Sequence, residues 1–92
     1  MAKAHFIINP TSGRGKPAKC WPRIQEIFQA ENWEFDATFT QRPGEASEIA
    51  RQAAQSGYEL IVPVGGDGTI HEVVNGMFAD GKAINPQATL GL

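Results

Sequence analysis

Short apolar segments alternate with helix-like segments along the sequence, and this alternation restricts the fold more than any other feature. Residues 5–8 (His-Phe-Ile-Ile) and 60–64 (Leu-Ile-Val-Pro-Val) are nearly all apolar, as strands covered on both faces are. Residues 33–40 alternate apolar and polar side chains, which predicts a strand with unlike faces near a sheet edge. A fourth strand is predicted to start near Ala88. Pro63 is unusual within its strand, because proline cannot donate a ladder hydrogen bond.

Three segments between these strands repeat apolar residues at helical spacing. The first helix is predicted to begin at Pro17 and stop at Asn32, the second to end at Gly57 in a left-handed cap, and the third to fade near residues 80–81. Strands that alternate with helices imply right-handed crossovers and a parallel α/β sheet with helices on both faces. The helical stripes are Trp21, Ile24, Ile27 and Phe28, then Ala46, Ile49, Ala50, Ala53 and Ala54, then Ile70, Val73, Val74, Met77 and Phe78.

Composition restricts the class of protein. Ninety-two residues fit one small domain, and 41% apolar residues with a net charge of -2 are typical of a globular protein without the basic excess that nucleic-acid binding needs. Cys20 is the only cysteine, which excludes an internal disulfide and agrees with a reducing compartment such as the cytoplasm. No apolar run approaches the roughly 20 residues of a membrane-spanning helix, so any membrane contact is expected to be peripheral.

Residues 65–69 (Gly-Gly-Asp-Gly-Thr) follow the strand 60–64 directly and precede the third helix. In a parallel α/β sheet, ligands collect at the carboxyl ends of the strands, where loops lead into helix N-termini whose free N–H groups favour anions. The glycines allow the backbone to approach a polyphosphate without clashes of Cβ atoms. Asp67 stands in the same turn, and Mg²⁺ is suited to mediate between a carboxylate and phosphates. The loop therefore predicts a polyphosphate site in which Asp67 acts through Mg²⁺ or orients a substrate hydroxyl.

The same loop has a structural interpretation, which the sequence leaves open. A Gly-Asp-Gly segment makes a tight turn, and Asp67 could cap the third helix. Thr69 and Glu72 match the Ser/Thr-x-x-Glu capping box. The two interpretations are compatible, because a capped helix still binds phosphate if its remaining amides point into the cleft.

The loop after the first strand, residues 9–16, is the second candidate. It brings hydroxyl groups and the cations Arg14 and Lys16, which can pair with phosphate, to the same edge of the sheet. It is not a Walker A loop, because Pro10 stands where the first glycine belongs and Pro17 replaces the Ser/Thr after the lysine.

A dinucleotide-binding pattern, G-x-G-x-x-G/A, also occurs at residues 13–18. Asp36 lies at a plausible distance for a ribose contact, but it stands inside the second strand and not at its end, which argues against NAD binding. Other side chains fit structural roles better. His71 is isolated within the third helix, Trp33 is expected to pack beside the sheet, and Cys20 has no partner that indicates reactivity.

Several motifs together resemble the catalytic domain of diacylglycerol kinases and their bacterial lipid kinase relatives. They are residues 9–13 (Asn-Pro-Thr-Ser-Gly), Thr40 at the end of the second strand, and residues 65–69 followed by 71–76 (His-Glu-Val-Val-Asn-Gly). The Gly-Gly-Asp-Gly-Thr segment alone is shared with NAD kinases and, with variation, phosphofructokinases. The first and last motifs indicate the lipid branch, and the resemblance covers nearly the whole chain.

This resemblance implies a fold, a reaction and a set of site residues. The fold is a three-layer Rossmann-like parallel sheet, of which residues 1–92 form the N-terminal part of an ATP-binding kinase domain. The reaction transfers the γ-phosphate of Mg-ATP to a hydroxyl of diacylglycerol or a related lipid, which a cytoplasmic enzyme meets peripherally at the membrane surface. Asp67 is implied as the catalytic residue. The implied nucleotide-binding residues are Asn9, Pro10, Thr11, Ser12, Gly13, Thr40, Gly66, Asp67, Gly68, Thr69, Ile70, His71 and Glu72.

In that family the chain continues into a Pro-x-Gly-Thr-x-Asn-Asp-like loop and a β-rich second domain with acidic, metal-linked and base residues. Residues 89–92 (Thr-Leu-Gly-Leu) have the pattern of an opening strand, so we expect a truncated domain that binds nucleotide weakly and has no turnover alone. Its exposed sheet edges would allow a homodimer to form in vitro. An NAD kinase-like enzyme and a non-catalytic nucleotide-binding or interaction module remain as alternatives.

Overall fold

Parallel strands and the helices that connect them form the framework of the molecule. The computed structural model describes residues 3–11 and 15–91. The helices are α1 (Lys16–Ala30), α2 (Glu45–Gln55) and α3 (Asp67–Met77). The strands are β1 (Lys3–Ile8), β2 (Glu34–Phe39), β3 (Leu60–Val64), β4 (Phe78–Ala79), β5 (Lys82–Ala83) and β6 (Thr89–Leu90). The main sheet has the order β2-β1-β3-β6, which confirms the predicted parallel α/β fold class.

Strand β1 is central and pairs in parallel with both β2 and β3. Ile8, the last residue of β1, lies beside Phe39 of β2 and Val64 of β3. These three strands therefore end at the same edge of the sheet. The predicted fourth strand forms as β6, but it pairs only with Leu60 and Ile61 of β3.

Pro63 limits how β3 can pair on the side that faces β6. The N–H of Gly91 donates to the carbonyl of Ile61 over 2.9 Å. Because alternate residues of a parallel strand face the same neighbour, the next N–H of β3 on this side would belong to residue 63. Proline has no N–H, so residue 63 cannot donate a hydrogen bond on this side. On the other side of β3, pairing with β1 continues as far as Val64.

Alternate side chains of β1 enter two separate cores on opposite faces of the sheet. Phe6 and its same-face neighbours pack under α1, whereas Ile7 packs with Ile61 of β3 under α2 and α3. The rings of Trp21 and Phe28 on α1 lie 4.9 and 4.7 Å from the ring of Phe6. This arrangement confirms that helices cover both faces.

Most predicted positions of the first helix are confirmed, with one exception. Ile24 and the rings of Trp21 and Phe28 pack in the α1 core, and so does Trp33, which follows the helix. Ile27, whose spacing places it on the same stripe, is 50% exposed. It directly precedes Phe28, about 100° away around the helix, and it is the Phe28 ring that packs against Phe6 of the sheet.

Strand β2 forms one edge of the sheet, as its alternating pattern predicts. Glu34 and Asp36 are exposed, while Phe35 turns toward the aromatic side chains of the α1 core. The predicted left-handed cap at Gly57 is confirmed by its φ of 88°, and the predicted stop at Asn32 lies two residues after the end of α1, with a φ of 59°. None of the helices in the described ranges combines the length and apolar character needed to cross a membrane.

The third helix ends earlier than predicted. After α3 stops at Met77, strands β4 and β5 pair antiparallel. Asp80 and Gly81 form the turn between them with φ values of 52° and 77°. Positive φ at both central residues is the geometry of a two-residue hairpin turn, for which Asp-Gly is favoured. The prediction that the helix fades at residues 80–81 is therefore wrong, because Asp-Gly here turns a hairpin.

Helices α2 and α3 approach each other so closely that backbone atoms form the contact. Gly76 is buried, and a Cβ atom added there would lie 2.1 Å from the carbonyl oxygen of Ser47 and 2.9 Å from Cβ of Ala50. No side-chain rotation relieves a contact with a backbone oxygen. The spacing between the two helices thus requires glycine at position 76.

We expect Gly76→Ala to lower the free energy of unfolding by about 1–3 kcal/mol, because the helices must separate to admit the methyl group. Gly68→Ala is the matched control on the same helix, since a Cβ at that position meets nothing within 4 Å. Alanine is favoured over glycine in helices by up to about 1 kcal/mol, so the control should be neutral or stabilising. Urea denaturation measures both. Equal stability of the two variants would contradict the proposed steric contact.

A polar cluster lies between β1, β2 and the segment before β3. His5 Nε2 is 2.8 Å from Thr38 Oγ1, whereas His5 Nδ1 is buried without a partner in the described part of the chain. The Tyr58 hydroxyl donates to the Asp36 carboxylate, and burial together with this hydrogen bond and charge raises the pKa of Tyr58 to about 12. Burial lowers the pKa of His5; the charge of Asp36 opposes this shift and that of Lys3 adds to it. A protonated His5 would bury an N–H group that has no acceptor.

The lowered pKa of His5 predicts a loss of stability in acid. The unfolded chain binds the proton near the ordinary pKa of 6.5, and the folded state binds it only at lower pH. The contribution of His5 is thus fully present above pH 6.5 and is lost as the pH falls from 6.5 through the folded-state pKa. His5→Gln keeps a donor for Thr38 but does not titrate, so its stability should fall less between pH 7.5 and 5.5. Urea titrations at both pH values test this, and identical losses in the two proteins would refute it.

Candidate functional site

Three loops leave the sheet where β1, β2 and β3 end, and a polar cleft of about 230 Å³ lies there between the loops after β1 and β2 and the first turns of α3. Residues 9–15 follow β1, residues 40–44 follow β2, and residues 65–66 follow β3. The parallel register places all three loops at one edge, as the sequence predicts for two of them. The cleft is lined by Asn9, Thr11, Thr40, Gln41, Arg42, Pro43, Ala46, Thr69 and Glu72.

The glycine loop leads directly into α3, and no side chain caps this helix. The N–H groups of Thr69 and Ile70 both donate to the carbonyl of Gly66, over 3.0 and 3.2 Å. The preceding N–H groups, those of Asp67 and Gly68, therefore have no acceptor within the helix. Backbone donors at a helix N-terminus favour an anion, so this end of α3 has the chemistry expected of a phosphate site.

Asp67 is the first residue of α3 and is exposed. Its carboxylate does not act as the cap of the helix, so that interpretation is wrong. A negative side chain in the first turn is favourable toward the helix dipole. The described residues hold no group of three or more His, Cys, Asp or Glu side chains that could bind a metal ion by themselves. Asp67 is thus a single free carboxylate beside the amide donors.

Thr69 has a structural role that involves Gly65, four residues earlier. Its side chain is only 4% exposed, and its Oγ1 accepts a hydrogen bond from Asn9 Nδ2 over 3.4 Å. A Cβ atom at Gly65 would lie 2.5 Å from Thr69 Oγ1. The hydroxyl therefore occupies space that only glycine leaves open. The capping-box interpretation is wrong, because Gly66 precedes the helix and Glu72 makes its hydrogen bond elsewhere.

Asn9 joins the loops that follow β1 and β3. Its backbone N–H donates to the Val64 carbonyl over 2.9 Å, and its amide reaches Thr69 as described. Its Oδ1 accepts from both the N–H and the hydroxyl of Thr11, over 3.2 and 2.9 Å. One asparagine side chain thus fixes the start of the loop after β1 against the N-terminus of α3.

Residues 41–44 form a wall of the cleft that the sequence did not identify as part of a site. Thr40 is buried, and its N–H continues the sheet by donating to the Ile8 carbonyl over 2.8 Å. Glu45 then holds the loop with both carboxylate oxygens, accepting from the Gln41 N–H over 2.7 Å and from Arg42 over 2.8 Å. The order of strands and helices could have indicated this loop, because it also connects a parallel strand to a helix at the carboxyl edge of the sheet.

Not every predicted site residue lies in the cleft. Ile70 is half-buried and His71 is exposed on α3, and neither lines the cleft. Gly66, Asp67 and Gly68, which are predicted to bind the nucleotide, lie at the N-terminal end of α3. Their predicted contacts would be made there, beside the cleft. Pro10 is half-buried at the start of the loop after β1. Ser12, Gly13 and the predicted cation Arg14 lie outside the described residues.

The cation among the described residues that line the cleft is already paired with carboxylates. Arg42 is 62% exposed and is already paired with Glu45 and Glu48. Glu72 lines the cleft, and its Oε1 accepts from the Gly44 N–H over 3.1 Å. The amides at the start of α3 are therefore the donors beside the cleft that have no acceptor within their own helix.

Comparison with known proteins gives consistent results. The family model described as the diacylglycerol kinase catalytic domain matches residues 3–92. A diacylglycerol kinase of Bacillus subtilis is 40% identical over 92 residues, which cover 100% of this chain and 29% of that protein. Sphingoid long chain base kinase 5 of Saccharomyces cerevisiae is 37% identical over 73 residues, covering 78% of this chain and 11% of that protein. The chain thus spans less than a third of the length of these relatives.

A solved structure supports the same relationship. The crystal structure of a diacylglycerol kinase from Bacillus anthracis superposes with a TM-score of 0.69 at 27% sequence identity. The match covers 96% of this chain and 30% of that one. The described architecture is therefore that of the corresponding part of the larger protein.

The contact between Gly65 and Thr69 predicts a specific coupling between these positions. Gly65→Ala should lower the free energy of unfolding by about 1–3 kcal/mol, because the new methyl group overlaps the threonine side chain. Thr69→Ala removes Oγ1 and Cγ2 from that space, so the double variant should lose less stability than the sum of the two single losses. Urea denaturation of the four proteins measures this difference. Strictly additive losses would show that the two side chains do not share the space.

Proposed function

The chain belongs to the diacylglycerol kinase catalytic domain family, and from this membership we propose that it forms the nucleotide-binding part of an ATP-dependent lipid kinase. The full-length protein would transfer the γ-phosphate of ATP to a hydroxyl of diacylglycerol or a related lipid at the membrane surface. Named relatives act on both diacylglycerol and sphingoid bases, so the exact lipid is not fixed by family membership. The cytoplasm is the proposed location.

One observation supports the proposal most directly. The uncapped end of α3, with a free carboxylate at its first residue, opens beside the cleft at the carboxyl edge of the sheet. Backbone amides in this position bind phosphate oxygens, and the polar cleft offers Asn9, Thr11 and Thr40 to the rest of a nucleotide. Phosphoryl transfer depends mainly on positioning and charge stabilisation, which such an arrangement supplies.

A magnesium ion fits the donor set of this site. Asp67 offers a hard oxygen ligand with no competing partner among the described residues, and Mg²⁺ is commonly bound by one or two carboxylates together with substrate phosphates. When bound, the ion neutralises charge on the phosphates and polarises the γ-phosphoryl group. Asp67 is the residue of this chain that would hold it. The remaining ligands are expected from the rest of the protein.

The proposed reaction assigns clear tasks to the residues of this chain. The bond between the γ-phosphorus and the β–γ bridging oxygen breaks as a bond from phosphorus to the lipid oxygen forms, giving ADP, the lipid phosphate and a proton. The amides of Asp67 and Gly68 hold phosphate oxygens, while the cleft residues hold the nucleotide against the sheet edge. The Asp67 carboxylate orients the phosphates or the attacking hydroxyl. The base that takes the hydroxyl proton is expected outside these residues.

Asp67→Asn in the full-length protein should lower the rate of phosphate transfer by about 10²–10³-fold, as loss of a key electrostatic group does, with the melting temperature little changed. Asp80→Asn is the matched control. It makes the same substitution at an exposed hairpin turn, where asparagine tolerates the positive φ. A radiolabelled ATP assay with diacylglycerol in mixed micelles measures both variants, and only Asp67→Asn should be impaired.

The same assay separates the alternatives. A near-normal rate for Asp67→Asn would end the assignment of Asp67 as the catalytic residue. Phosphate transfer to NAD, offered beside the lipid, and none to diacylglycerol would indicate an NAD kinase instead. If the wild-type protein transfers phosphate to neither acceptor but binds Mg-ATP in calorimetry, the chain belongs to a nucleotide-binding module without catalysis.

A further inference from the structure

Helix α3 is connected to the opposite wall of the cleft through one side chain. Glu72 Oε1 accepts a hydrogen bond over 3.1 Å from the backbone N–H of Gly44, which lies 28 residues earlier in the chain. Gly44 ends the loop of residues 41–44 and immediately precedes α2. Both Glu72 and this loop line the cleft, so the hydrogen bond joins its two sides.

Gly44 cannot supply a cap for its own helix. Its φ is 85°, a left-handed conformation that favours glycine, and no side chain caps the start of α2. The exposed N–H of Gly44 is available to an acceptor from elsewhere, and a carboxylate is a strong acceptor at the positive end of a helix. Glu72 provides this acceptor from a neighbouring helix and is half-buried there.

Glu45 and Glu72 hold the loop in different ways. Glu45 bonds to Gln41 and Arg42, which are close neighbours in sequence, and so fixes the internal shape of the loop. Among the hydrogen bonds of the described residues, that of Glu72 ties the loop to α3. About one turn further along α3, Gly76 rests against the backbone of Ser47 and fixes the distance between the two helices. With α2 and α3 held together, the position of Glu72 sets the position of the loop.

We infer that Glu72 is a positioning residue for the nucleotide. It acts by accepting the Gly44 N–H, which holds residues 41–44 at the distance from α3 that a nucleotide needs. The negative charge of Glu72 is not required for this role, because a neutral amide oxygen can accept the same hydrogen bond. The inference rests on the proposed function, since it concerns how the cleft admits ATP.

Two substitutions of Glu72 separate this role from a direct contact with the nucleotide or its metal ion. Glu72→Gln keeps an oxygen acceptor and removes the charge, whereas Glu72→Ala removes both. In the full-length protein, Glu72→Ala should raise KM for ATP by about tenfold or more with a smaller effect on kcat, and amide hydrogen exchange at Gly44 should become faster. Glu72→Gln should keep the KM for ATP within about threefold of wild type and keep Gly44 protected. Glu59→Ala, at an exposed carboxylate near the opposite edge of the sheet, is the control and should change neither quantity.

The outcomes are decisive in either direction. A Glu72→Gln protein with a KM as high as that of Glu72→Ala, but with Gly44 still protected, would overturn the inference and show that the charge itself acts on the nucleotide. An unchanged KM in Glu72→Ala would overturn it as well. If Glu72→Ala does not fold, Glu72→Gln still tests the inference, because both its KM and its Gly44 protection must remain normal, and loss of either would overturn it. If the wild-type protein transfers no phosphate, the proposed function fails alone, and Kd for Mg-ATP measured by calorimetry replaces KM in the same comparison.

Discussion

The parallel pairing of β1 with both of its neighbours is the constraint on which the rest of the structure depends. It aligns Ile8 with Phe39 and Val64, so that three chain segments leave the sheet side by side. The alternation of side chains along β1 also supplies both cores, one under α1 and one under α2 and α3. A shift of one residue in this register would exchange the two cores and move the loops apart. The geometry of the cleft is therefore a consequence of strand pairing and not of the loops themselves.

The cleft is stabilised mainly by polar contacts between elements that are distant in sequence. Asn9 joins the loop after β1 to α3, and Glu72 joins α3 to the loop before α2. Each of these side chains also lines the space that a ligand would occupy. Glycines complete the arrangement where the backbone must come close, at Gly65 beside Thr69 and at Gly76 beside Ser47. Asn9 and Glu72 thus hold the loops together and also line the proposed nucleotide site, so a substitution at either is expected to affect both stability and the proposed binding.

The sequence predicts the fold better than it predicts the details of the site. The strands and helices follow from periodicity, and the glycine loop follows from its place between a buried strand and a helix. The hairpin of β4 and β5 could not be separated from a helix end, because Asp80-Gly81 suits both. The partner of Glu72 could not be predicted, since the local capping box offered an equally good acceptor role and Gly44 lies 28 residues away. Contacts of this kind depend on how helices pack, which periodicity does not specify.

The exposed edge of the sheet has a consequence for how the protein behaves in concentrated solution. Among the strands of residues 3–11 and 15–91, β2 has a neighbour on one side only, and such edges can pair with the edges of other molecules. Glu34 and Asp36 place negative charge along this edge, so two copies that approach edge to edge repel each other at neutral pH. The negative charge of these two side chains therefore helps to keep copies of the protein apart at high concentration, and replacing both with neutral residues would leave the edge open to pairing.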